Sequence, residues 1–151
     1  MFTLDEAASL GAGNGQAVVR LTIPARPEYI TLCRLALTGL AQVMALSEEL
    51  LADLKLALTE AASNSVRHAY GDDEGLVEIT YELHGDRLAI EVADDGEGFV
   101  HDSTPQLDDA EGMSEGGLGI AIIRSIADEF DVGARPNGRG SRLRFVKLLS
   151  V

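Results

Sequence analysis

Glu60, Asn64 and His68 recur at intervals of four residues in a stretch otherwise rich in alanine and leucine. At ~100° per residue this spacing places all three on one helix face. That face lies at the shoulder of the apolar sector formed by Leu50, Leu54, Leu58 and Ala61. A carboxylate there can take a proton from a hydroxyl, and an amide carbonyl one turn on can ligate a hard cation. Ala57 and Ala61 keep the surroundings thin enough for a bulky ligand. Taken alone, the pattern equally describes the polar edge of an ordinary amphipathic helix. His68 has no second His or Cys close by in sequence, so it reads as a helix-end histidine beside Tyr70.

Three glycine-bearing segments add further chemistry. Asp94-Asp95-Gly96-Glu97-Gly98-Phe99 follows the apolar run Leu88–Val92. An ionised Asp at that point accepts hydrogen bonds only, which suits an exocyclic amine such as that of adenine, and the glycines let a flat ligand lie against the backbone. An Asp-Gly turn competes with this reading, whereas a calcium loop is disfavoured because the twelve-residue ligand rhythm is missing. Gly112-Met113-Ser114-Glu115-Gly116-Gly117-Leu118-Gly119-Ile120 runs into an apolar helical pattern, and free amides at such a helix start attract anions. It lacks the Gly-Lys-Ser/Thr ending of a Walker loop and the surrounding βαβ unit of a dinucleotide fingerprint. Gly138-Arg139-Gly140-Ser141 opens the last strand and by itself reads as a hairpin turn.

The elements that must position these residues are legible from patterning. Residues 1–15, ending in Gly11, Gly13, Asn14 and Gly15, read as a flexible leader ahead of a single domain over residues 16–151. The β-branched run Ala17–Ile23 predicts a strand closed by Pro24. Pro27 suits the first turn of a helix reaching about Ala45, with Ile30, Cys33, Leu37 and Leu40 at helical spacing. Ser47 followed by Glu48 and Glu49 predicts the cap and first turn of a helix to about Ala69. Strands are expected at Leu76–Leu83 and Arg87–Ala93 around a short turn, then a long acidic, glycine-rich loop over residues 94–116 of the kind used as a binding loop or lid. A helix from Gly119 to about Asp128 and strands at Phe130–Ala134 and Arg142–Leu148 complete the order. The implied class is α+β: a two-layer sandwich, a mostly antiparallel mixed sheet with helices packed on one face.

Composition narrows the functions. The 151 residues carry a formal net charge of -13, which argues against direct nucleic-acid binding and is compatible with steering a basic protein partner. No run approaches the ~20 apolar residues of a membrane helix, and no signal pattern opens the chain, so no membrane association and a cytoplasmic location are expected. The single cysteine, Cys33, sits among leucines and is expected to be a buried, inert thiol. An acidic protein that binds a polyanion must draw positive potential from backbone amides and a divalent metal.

In order and spacing, the four segments together resemble the GHKL ATPases, the superfamily of gyrase, heat-shock chaperones, histidine kinases and mismatch-repair proteins. The nearest likeness is to the anti-sigma-factor serine kinases. Thr59-Glu60-Ala61-Ala62-Ser63-Asn64-Ser65-Val66-Arg67-His68-Ala69-Tyr70 looks like their N-box, and the segments at Asp94–Phe99 and Glu115–Ile120 like their two glycine boxes. The resemblance spans roughly residues 16–148 and implies the histidine-kinase-like ATPase fold. It implies ATP and Mg²⁺ as ligands, with Glu60 as general base, Asn64 as the Mg²⁺ ligand, and Asp94 holding the adenine amine. Gly96 and Gly98 would shape the pocket floor, Ser141 would assist the base through a water, and Gly117, Leu118 and Gly119 would meet the phosphates. Residues 100–115 would form an ATP lid. The implied activity is phosphorylation of an anti-anti-sigma (STAS-type) protein together with sequestration of a sigma factor, by a homodimer joined through the N-terminal strand and first helix. No phospho-accepting histidine helix precedes the pattern and no transducer follows, which sets the expectation apart from complete sensor kinases, topoisomerases and chaperones. One departure is Glu115, where some members carry an arginine that contacts the terminal phosphate; Arg124 or a neighbouring subunit's arginine would then have to serve. Two other readings are a nucleotide-binding anti-sigma module and a detached histidine-kinase catalytic domain.

Overall fold

The computed structural model describes residues 2–4, 16–69, 75–95, 115–135 and 140–149. Strand β1 covers Phe2–Leu4, β2 Ala17–Pro24, β3 Leu76–Leu83, β4 Arg87–Asp94, β5 Glu129–Ala134 and β6 Ser141–Leu148. The helices are α1 Ile30–Val43, entered through a 3₁₀ turn at Pro27–Tyr29, α2 Glu48–Ala69 and α3 Glu115–Ile126. The strands form one sheet in the order β1-β2-β3-β4-β6-β5. Among the described residues every pairing is antiparallel, so this sheet is uniform rather than mixed.

Period-two alternation decides which face is covered. Leu21 and Ile23 of β2, Val77, Ile79 and Tyr81 of β3, Ile90 and Val92 of β4, and Leu143 and Phe145 of β6 all point into one core. Opposite them lie Cys33 and Leu37 of α1, Leu54, Leu58 and Ala61 of α2, and Ile123 of α3. The Tyr81 hydroxyl donates to the Cys33 carbonyl at 2.8 Å, tying β3 to α1. The other sheet face is polar. There Arg142 pairs with Glu91 at 3.2 Å and with Asp131 at 3.1 Å, and Arg144 pairs with Glu82 at 3.3 Å. Those long stems cover the small side chains of a central strand that is buried on both sides, including Ala89 and Ala93.

Local chemistry accounts for the boundaries. Ser47 caps α2, its Oγ accepting from the Leu50 N–H at 3.0 Å. Helix α1 ends with Ala45 at φ 56 and the Leu46 N–H bonded to the Ala41 carbonyl at 2.9 Å, an αL closure that turns the chain directly into α2. Cys33 is fully buried, and that burial raises its thiol to about 12 despite a backbone hydrogen bond, which makes it the inert thiol expected. Two expectations shift. Within the expected leader, Phe2–Leu4 is a strand paired with Val19–Leu21, because its β-forming residues complete the free edge of β2. Helix α3 begins at Glu115 rather than Gly119, as the helical ladder extends back through the glycines.

Candidate functional site

Asp94 is the last residue of β4 and lies opposite Ser141, the first residue of β6, in the ladder. The Ser141 Oγ donates to Asp94 Oδ2 at 2.9 Å. From the helix layer, Ser65 of α2 donates its hydroxyl to the same oxygen, also at 2.9 Å. All three are buried, Asp94 being 1% exposed. Two hydroxyls thus fix the rotation of a carboxylate at a strand end, as a hydrogen-bonding group aimed at a flat ligand requires. The backbone beside it is equally constrained. Gly140 adopts φ +70, and a Cβ there would overlap the Asp94 carbonyl and lie 2.7 Å from Asp95 Cα. Glycine at 140 is therefore a condition for Asp94 standing where it does.

Asn64 lies one residue before Ser65 and is 2% exposed. Its Oδ1 accepts from Arg67 Nη2 at 3.1 Å. One turn earlier, Glu60 is half-buried, as a group at the shoulder of the apolar sector should be. Its carboxylate reaches α3: a Cβ on the buried Gly119 would sit 2.7 Å from Glu60 Oε1. The fold therefore brings the α2 stripe against the first half of α3. Gly117 falls in the first turn of α3, where helix N–H groups lack an intrahelical partner, with Leu118 exposed beside it. Gly119 is the fifth helical residue, where the N–H joins the ladder. Arg124 is at the other end of α3, its guanidinium 5.6 Å from the Phe130 ring centroid.

Glu60, Asn64, Gly119, Asp94 and Ser141 occupy α2, the facing part of α3 and the adjoining ends of β4 and β6. Gly96 and Gly98, with residues 100–114 of the expected lid, lie outside the described residues, as does the side chain of His68. Among the described residues, the cavities of about 420 Å³ beside Tyr29 and Leu76 and about 300 Å³ beside Arg34 and Lys55 include none of the expected site residues. Sequence reasoning missed Ser65, Arg67 and the steric role of Gly140. Ser65 left one signal, a small polar residue about 100° around the helix from Asn64 and toward the apolar side. Arg67 and Gly140 acquire their roles only through side-chain reach and cross-strand contact.

No described group of three or more His, Cys, Asp or Glu could hold a metal. A neutral amide oxygen at Asn64 fits an ion that takes most of its ligands from phosphates and water, the usual habit of Mg²⁺. The buried Asp94 acceptor fits an adenine amine.

The sequence profile of the histidine kinase-like ATPase domain matches residues 23–147. This chain belongs to that family. Curated relatives are the serine-protein kinase RsbW of Listeria monocytogenes serotype 4a (strain HCC23), 39% identical over 74% of this chain and 76% of the relative. The serine-protein kinase RsbW of Bacillus subtilis (strain 168) is 36% identical over 79% of each chain. Among solved structures, the histidine kinase domain of the Erythrobacter litoralis EL346 blue-light activated histidine kinase superposes with a TM-score of 0.52 at 21% identity. That match covers 84% of this chain and 62% of that one. It speaks to the fold alone, and the expected histidine-kinase-like α+β fold is borne out. The resemblance to serine kinases is borne out at the level of family.

Proposed function

We propose that this protein is an ATP-dependent protein serine/threonine kinase and anti-sigma factor, which phosphorylates a STAS-type anti-anti-sigma protein and sequesters a sigma factor in the cytoplasm. The observation that carries the catalytic part is the contact of the Glu60 carboxylate with Gly119, which joins an N-box acid to the glycine box on α3. The relatives named serine-protein kinase RsbW support the choice of serine as acceptor, and the sigma-factor setting follows from the resemblance of the motifs to the anti-sigma-factor serine kinases.

In this reading Asp94, locked by Ser65 and Ser141, would accept from the adenine amine. Asn64 would offer its Oδ1 to Mg²⁺, and the first turn of α3, with Gly117 and Leu118, would meet the phosphates, whereas Gly119, whose N–H joins the helical ladder, is left out of that contact. Bound Mg-ATP supplies the phosphoryl group and the metal's charge. Glu60 accepts the proton of the substrate serine as its oxygen bonds to the γ-phosphorus and the bond to ADP breaks. The remainder of catalysis is positioning and charge stabilisation. Helix α1 supports a homodimer: Leu32, Leu35 and Val43 are exposed on the face opposite Ile30, Cys33, Leu37 and Ala41. At the centre of that outer stripe, a Cβ on Gly39 would meet nothing within 4 Å.

The test is transfer of labelled phosphate from Mg-ATP to a recombinant STAS-domain protein of the same genome. Glu60→Gln is expected to lower transfer by at least ~10²-fold while Mg-ATP still binds. Undiminished transfer would remove Glu60 as the base. A second reading, a nucleotide-binding anti-sigma module without turnover, is favoured by Glu115 at the arginine position and by the engagement of Arg124 with Phe130. ATP binding with no transfer by the unaltered protein would select it.

A further inference from the structure

The position of Gly119 is not explained by the conformational reasons that usually select glycine. It lies inside a helix, where glycine is less stable than alanine. Among the described glycines only Gly140 has positive φ, so no left-handed turn demands it. Its N–H is placed to join the intrahelical ladder, unlike that of Gly117 in the first turn. What distinguishes the position is the neighbour: an added Cβ would stand 2.7 Å from Glu60 Oε1, 3.6 Å from its Cδ and 3.7 Å from its Cβ. The last two are ordinary contacts and the first is not. A methyl group at 119 would thus leave the Glu60 stem in place and evict one carboxylate oxygen.

We propose that Gly119 is a positioning residue for Glu60, its absent side chain being the space in which the reactive carboxylate oxygen sits. This rests on the reading of Glu60 as the general base. The displaced atom is the free end of a flexible side chain, so the carboxylate yields while the helix stays. Restoring ordinary contact at about 3.4 Å moves Oε1 by about 0.7 Å. Misplacements of ~1 Å at a reacting group cost on the order of 10²-fold in rate. Replacing glycine by alanine within a helix also favours the fold. The inference therefore calls for a variant that is more stable and slower.

The experiment compares the full-length wild-type protein with Gly119→Ala, Glu60→Asp and the double variant. The readouts are thermal melting, calorimetric titration with Mg-ATP, and phosphate transfer to the recombinant STAS-domain protein. Gly119→Ala is expected to melt about 2–4 °C higher, to bind Mg-ATP within about threefold of wild type, and to transfer at least ~tenfold more slowly. In the Glu60→Asp background, where the carboxylate is drawn back by one methylene, adding Gly119→Ala is expected to cost less than about twofold. The proposal is overturned if Gly119→Ala transfers at the wild-type rate, or if it melts well below wild type. It is also overturned if its lost rate is matched by lost Mg-ATP affinity, or if the same loss recurs beside Asp at position 60. Failure of the base reading looks different: Glu60→Gln would keep full transfer. An inactive Glu60→Gln beside a fully active Gly119→Ala sinks this inference alone.

Discussion

At the scale of single residues, the proposed nucleotide site turns on one buried carboxylate and the two hydroxyls that hold it. Asp94 receives Ser65 and Ser141 on the same oxygen, one from the helix layer and one from the neighbouring strand. Exchanging the carboxylate for an amide places a donor where an acceptor is needed, and sites built around a hydrogen bond reject the mismatch strongly. Asp94→Asn is therefore expected to weaken Mg-ATP binding by at least ~10²-fold with the fold intact, as read by calorimetry and circular dichroism. Ser65→Ala keeps the acceptor and removes one donor. It is expected to cost about 1–3 kcal/mol of stability in urea unfolding, with a smaller loss of nucleotide affinity. Unchanged ATP binding in Asp94→Asn would remove Asp94 from the nucleotide site.

At the scale of elements, α1 is tied to the sheet through the Tyr81 hydroxyl and the Cys33 carbonyl, and this joint responds to alkali. Burial raises the Cys33 thiol from 9.0 to about 12 and raises the Tyr81 hydroxyl too, the latter also through its neighbour Cys33. Both folded values lie above those of the unfolded chain, so the folded state keeps its protons longer. Their contribution is complete below pH 9 and is lost as pH climbs toward 12, by up to about 1.4 kcal/mol per pH unit for each group. Urea midpoints are expected to hold near pH 8 and fall steeply by about pH 10.5. Tyr81→Phe is expected to lower stability near pH 8 by about 1 kcal/mol, through the lost hydrogen bond, and to flatten the alkaline slope. A slope that Tyr81→Phe leaves unchanged would assign it to other groups.

At the scale of the whole molecule, a chain of net charge -13 carries an apolar stripe on the outside of its first helix. Two copies meeting there would bury Leu32, Leu35 and Val43 against the repulsion of like charges. Dimerisation is therefore expected to strengthen as salt is raised to ~0.15 M, where the Debye length falls to about 8 Å. Leu35 is 60% exposed, so Leu35→Asp should leave the protomer folded. It should weaken self-association by at least ~tenfold in sedimentation equilibrium. A dimer indifferent to Leu35→Asp would place the interface elsewhere.

The sequence by itself determined the layers and most of their order, because alternation in Val77–Leu83 and helical spacing in Leu50–Ala61 are local signals set by backbone geometry. It also determined where Glu60, Asn64 and Asp94 stand in their elements, and the cap at Ser47. Strand β1 escaped it because three residues carry too little pattern, and their pairing with Val19–Leu21 of the next strand leaves no periodic signal within the segment itself. Only the tertiary structure decided that Ser65 serves Asp94, that Arg67 bonds Asn64, that Gly140 must be bare beside the Asp94 carbonyl, and that Gly119 must be bare beside Glu60. Arg67 and Asn64 lie one turn apart on α2 and are joined by side-chain reach. The others are contacts between elements, fixed by how closely a helix meets a strand, a strand its neighbour or a helix another helix, and no periodicity within one segment encodes that distance.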